Sequence, residues 1–136
     1  MRKTVTLLLW LFLIAPWALA QDDAEAVDTD ELRYINLTPA FVTNYGGPGR
    51  MRYIKAEVTV QVSSAEALRA VTYHAPSLRH ALVMLLSRQE EDRVESIAGQ
   101  EQIRVEALAA AQEAMQAEVG DPTIEELLFT TFYVQN

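Results

Sequence analysis

His74 and His80 are the only histidines, six residues apart with Pro76 between them. A helical metal pair needs its imidazoles one turn apart, at i, i+3 or i+4, and no carboxylate stands in such a register beside either. The pattern fits exposed or capping histidines. Glu90-Glu91-Asp92 lacks the alternating ligands and the glycine turn of a calcium loop and fits a solvated charge run. Ser87 and Ser96 have no Gly-x-Ser-x-Gly turn around them, and Glu125 and Glu126, adjacent on a strand, would face opposite sides. With no cysteine, thiol catalysis, a cysteine-ligated metal, a disulfide and a lipid-anchored cysteine are excluded. No catalytic constellation, metal site or cofactor is expected, and the chain does not read as an enzyme.

Charge able to bind another surface remains. Arg50, Arg52 and Lys55 form the basic concentration of an otherwise acidic chain. In the structural reading they keep a hairpin soluble and guard its edge. In the functional reading Glu90, Glu91 and Asp92 of one copy meet them on the next, a head-to-tail contact that can close a ring.

These side chains need elements to hold them. The chain has 136 residues, 50% hydrophobic and 22% charged, which suits one domain. Arg2 and Lys3 precede an apolar run from Thr4 to Ala20, with Val5 to Ala15 as its centre, Pro16 as a helix breaker and Ala18-Leu19-Ala20 at its end. That order is a signal peptide cleaved after Ala20, with Gln21 as the mature start. The other reading is a short N-terminal membrane anchor, since the run is near the lower limit for a span of about 20 residues. Both carry residues 21–136 away from the cytoplasm. From residue 21 onward 9 basic residues face 19 acidic ones, a formal net charge of −10. Nucleic acid is thereby excluded as a partner, and an anionic membrane surface would be repelled, which leaves membrane contact to the N-terminus.

Residues 21–31 read as an acidic linker. Arg33 to Tyr45 predicts a strand interrupted at Pro39, and Gly46-Gly47-Pro48-Gly49 a hairpin loop. As a phosphate cradle those glycines would need a helix after them, and a strand pattern follows instead. In residues 51–62 Ile54, Ala56, Val58, Val60 and Val62 alternate with polar positions, the period of a half-buried strand. Ser63 or Ser64 caps a helix from Ala65 to about His74, and Pro76 suits the first turn of a second helix ending near Ser87 or Arg88. Ser96 caps a long helix to Val119 with Ile103, Ala107, Leu108, Ala111 and Met115 as its stripe, stopped by Gly120-Asp121-Pro122. Ile124 to Val134, apolar on both faces, predicts an interior strand. The result is an α+β fold: an antiparallel hairpin plus a C-terminal strand, packed against a long helix and a helical hairpin.

Five pieces in this order resemble the flagellar basal-body-associated FliL family over residues 32–136. They are Tyr34, Leu37, Pro39, Phe41, Val42 and Asn44; Arg52-Tyr53-Ile54; Pro76-x-x-Arg79-x-Ala81-Leu82 with Leu85-Leu86-Ser87; Gly99 with Ile103-Arg104; and Leu128-Phe129-x-x-Phe132-x-Val134-Gln135. The resemblance implies a single-pass inner-membrane protein whose periplasmic domain is similar to the stomatin (SPFH) fold. It implies a homo-oligomeric ring around the flagellar stator at the basal body, supporting stator engagement, torque and control of rotation in motility and chemotaxis. Two features depart from the pattern: the short leader ending in Ala-Leu-Ala, and His80 where an acid often follows the helix-two arginine. A soluble periplasmic binding or chaperone-like protein with the same fold and no motor contact is the alternative.

Overall fold

A computed structural model of the chain describes residues 31–136. The leader, its cleavage positions Ala18, Ala20 and Gln21, and the linker up to residue 30 lie outside the described residues. The elements are β1 (Arg33–Asn36), β2 (Phe41–Tyr45), β3 (Arg52–Val62), α1 (Ala65–Tyr73), α2 (Ala75–Ser87), α3 (Glu91–Glu95), α4 (Ile97–Val119) and β4 (Glu126–Gln135).

β3 is the spine of a four-stranded antiparallel sheet. Its period of two sorts the side chains as expected: Ile54, Ala56, Val58, Val60 and Val62 are buried, while Lys55 and Glu57 are exposed. β1 and β2 lie end to end along one edge of β3, from Arg33 opposite Val62 to Tyr45 opposite Arg52. Pro39 splits this edge strand, because it can donate nothing to the ladder. Between the pairs Asn36–Thr59 and Phe41–Ala56 the edge strand takes five steps to the three of β3, and Leu37 N bridges the gap by donating to Val58 O at 2.9 Å.

β4 runs along the other edge of β3, from Gln61 opposite Glu126 to Tyr53 opposite Gln135. The expected interior strand is therefore an edge strand, and β3 holds the interior place. Apolar residues on both faces suggest burial on both faces, but only the inward set, Leu127, Phe129, Phe132 and Val134, joins the core. Leu128 and Tyr133 stand 40% and 58% exposed on the solvent face.

The helices form a second layer, so the α+β expectation holds. Ser64 Oγ accepts from Ala67 N at 3.0 Å and starts α1, and Pro76 occupies the first turn of α2. Ser96 Oγ accepts from Gly99 N at 3.1 Å and starts α4, and Gly120, at φ 75°, ends it in the left-handed conformation. Leu78, Leu82 and Leu86 of α2 and Ile103, Ala107, Ala111 and Met115 of α4 are buried together with the inward face of the sheet. α3 is absent from the sequence reading. Its five residues carry a single buried apolar side chain, Val94, and so leave no periodic trace.

Candidate functional site

The histidines come first, as the groups with most chemistry. His80 is exposed, while His74 closes α1 and opens α2. Its Nδ1 lies 3.3 Å from Glu118 Oε2, and Ser77 Oγ donates to the other oxygen of the same carboxylate. Glu118 comes from the far end of α4, 44 positions along the chain, which no local spacing could announce. Serine and histidine both address Glu118 rather than each other, so no serine–histidine relay for nucleophilic attack forms here. Among the described residues, no group of three His, Cys, Asp or Glu side chains is placed to hold a metal ion.

Arg52 and Glu91, set on opposite sides of an intermolecular contact by the sequence reading, lie 3.0 Å apart within one chain. The pair joins the start of β3 to α3. Gly46 N adds to this junction by donating to Gln89 O at 3.2 Å, and Gln89 is itself buried. Gly46, Gly47, Arg52, Arg88, Gln89 and Glu91 line a cleft of about 520 Å³ there. Both charges keep part of their surface in water, so the bridge contributes at most about 1 kcal/mol. Arg50, Glu90 and Asp92 are exposed, and Asp92 Oδ1 accepts from Arg93 N at 2.9 Å. Lys55 sits apart from this group, on the solvent face of the sheet between Val42 and Tyr133.

Arg104 is the most heavily engaged cation. From α4 it forks onto Glu101, with Nη2 to Oε1 at 2.6 Å and Nε to Oε2 at 2.9 Å, and its Nη1 reaches Glu126 and Leu127 O on β4. The Glu101 bonds hold the guanidinium above its ordinary pKa, and Arg104 in turn keeps the Glu101 carboxyl below its ordinary 4.5. A carboxyl whose pKa is depressed on folding adds stability above its unfolded value and loses it as pH falls through the folded one. The melting-temperature gap between this chain and a Glu101→Gln variant should therefore be widest near pH 6 and close on acidification to about pH 3. A gap independent of pH would mean that the bonds, and not the charge, are what the glutamate supplies.

Arg79 holds no acid either. Its Nη1 donates to Pro39 O at 2.7 Å and to Leu37 O at 3.3 Å, and its guanidinium stacks 4.2 Å over the Phe41 ring. One side chain of α2 thus closes the turn between β1 and β2. The model of the family described as "Flagellar basal body-associated protein FliL" matches residues 34–135, three quarters of the chain and nearly all of the described part. The chain belongs to the FliL family. A "Flagellar protein FliL" from Aquifex aeolicus (strain VF5) is 23% identical over 99 residues, which are 73% of this chain and 59% of that protein. The chain thus spans about three fifths of that relative's length. FliL membership makes it a flagellar accessory protein and not an enzyme.

The FliL-like residues prove to be joints of the fold. Arg79 clamps the β1–β2 turn, Arg104 ties α4 to β4, and Phe132 and Val134 pack against the core. His80 in place of the acid leaves no charge unmatched, because Arg79 is served by main-chain carbonyls and a ring face. The Arg104–Glu126 and His74–Glu118 contacts are the ones sequence reasoning missed, since each joins elements brought together by tertiary packing.

Proposed function

We propose that this FliL-family chain works on the periplasmic side of the inner membrane at the flagellar basal body, where it self-associates and supports stator engagement, torque and control of rotation. The observation that carries the reading is the family match across residues 34–135. Its chemistry is contact and geometry. A domain that touches the open stator more favourably than the closed one shifts the stator toward opening, by as much as the two contacts differ in free energy. Similarity of the domain to the stomatin fold, and closure of copies into a ring, belong to the same reading.

The leader sets how the domain is tethered, as a retained anchor or as a cleaved signal peptide. Among the described residues no helix is long and apolar enough to cross a membrane, which leaves tethering to the leader in this reading. For the head-to-tail contact, Arg50 and Lys55 of one copy and Glu90 and Asp92 of the next are the charges available once Arg52 and Glu91 pair internally.

The test is position in the living cell. A periplasm-compatible fluorescent tag joined after Asn136 by a flexible linker is expected to give foci at flagellar bases that weaken when the stator proteins are deleted. Foci indifferent to the stator would remove the stator from the reading. Signal spread evenly around the periplasm, with the tagged protein shown to be folded, would favour the soluble binding or chaperone-like alternative.

A further inference from the structure

Sheet edges are where backbone N–H and C=O groups lack partners, and proteins normally break or cap them. The edge formed by β1 and β2 is broken after four residues by the turn at Pro39. The edge formed by β4 is capped only at its start. There Leu127 N donates to Glu126 Oε1 at 3.0 Å and Leu127 O accepts from Arg104 Nη1 at 3.1 Å. From Leu127 to Gln135 the strand has no charge, no proline and no glycine, and its one interruption is the bulge between the pairs Val58–Phe129 and Glu57–Thr131.

The ladder fixes which groups remain open. Leu37 N donates to Val58 O, so the even-numbered residues of β3 turn their backbone groups toward β1 and β2 and the odd-numbered ones toward β4. Thr131, Tyr133 and Gln135, opposite Glu57, Lys55 and Tyr53, bond inward to β3. Phe132 and Val134, opposite Ala56 and Ile54, therefore direct their N–H and C=O groups away from the sheet.

We propose that a second copy of this chain docks on this edge, β4 against β4 in antiparallel register, with Tyr133 on the two-fold axis. That register sets Phe132 of each copy against Val134 of the other, and the open groups of both exchange four hydrogen bonds. Side chains match by face as well. Phe132 and Val134 meet on the core side, while Thr131 meets Gln135 on the solvent side. Tyr133, 58% exposed in the single chain, meets its own counterpart at a non-hydrogen-bonded position, where cross-strand side chains stand closest. The contact is isologous and fuses two sheets into one of eight strands. It stands on the strand edge alone and does not depend on the flagellar reading or on the head-to-tail charges.

The chain has no cysteine, so introduced thiols report the register directly. In the full-length chain under mild oxidation, Tyr133→Cys is expected to form a disulfide dimer roughly tenfold faster than Thr131→Cys, because only the former thiols are held face to face. The Thr131→Cys positions of two copies would lie about 13 Å apart along the strands, whereas mixing Thr131→Cys with Gln135→Cys should cross-link the two chains to each other. Adding Val134→Pro to Tyr133→Cys removes an edge N–H without touching the β3 ladder and should abolish the cross-link. Equal rates at positions 133 and 131, or no mixed 131–135 product, would overturn the proposal. So would a monomeric light-scattering mass at high protein concentration, which would leave the edge to an extended peptide of another protein.

Discussion

Replacing Gly99 with alanine is expected to destabilise the domain by about 3 kcal/mol, near the upper end for overpacking a rigid site. In a domain of this size that lowers the melting temperature by about 15 °C. Helix propensity alone predicts the reverse, since alanine is favoured over glycine inside a helix by about 1 kcal/mol. Gly99 lies in the first turn of α4 and is buried. A Cβ there would stand 2.6 Å from Arg93 Cα and 2.7 Å from the Arg93 carbonyl carbon, with the carbonyl oxygen closer still. These atoms are backbone and cannot swing aside. α3 is pressed against α4 at this point by Val94, fully buried, and by Gln100 Nε2, which donates to Val94 O at 2.8 Å. The clash therefore has to be relieved by lifting α3 away, and with it the Arg52–Glu91 bridge to β3. Gly47→Ala is the control. Nothing lies within 4 Å of a Cβ there, and only its φ of +71° opposes the side chain, so about 1 kcal/mol is expected. Thermal melts of the two variants separate steric from conformational cost, and equal losses would show that the α3–α4 approach is not tight.

What the sequence discloses of this fold follows from which forces are local. The alternation in residues 52–62 and the stripe from Ile103 to Met115 are each written within one element, and both appear on the faces expected. Caps are local too, and Ser96 and Gly120 bound α4 as their residue types suggest. Sheet order is not local. β4 carries the composition of a buried strand, yet the place next to β3 on its other side is taken by β1 and β2, whose pairing depends on the turn before β3. Side-chain partners are least legible of all. Arg52 and Glu91 read as complementary surfaces of two copies because opposite charges far apart in sequence carry no sign of which chain completes the pair. For the functional site the residues of the family pattern are visible, but their work, clamping turns and helix contacts, emerges only from distances.

Arg79→Ala is expected to cost about 3 kcal/mol, the combined loss of charge-assisted hydrogen bonds to main-chain carbonyls and of a cation–π contact. The size follows from what the arginine leaves behind. Leu37 O and Pro39 O belong to the turn that carries the chain from β1 to β2, and Leu37 and Phe41 on either side of it are core residues. Without Arg79 the two carbonyls must turn to water, and the Phe41 ring loses the cation 4.2 Å above it. Arg79→Lys isolates the planar fork: an ammonium can hold one carbonyl but cannot serve both while lying flat on the ring, so roughly half of the loss should persist. Hydrogen exchange reads the same event locally. The Leu37 amide, which donates to Val58 O, should exchange faster in Arg79→Ala, whereas amides of α4 follow only the global loss of stability. If lysine restores full stability and protection, charge alone holds the turn and the stacking on Phe41 adds nothing. If it restores neither, the guanidinium plane is what joins the helical layer to the broken edge of the sheet.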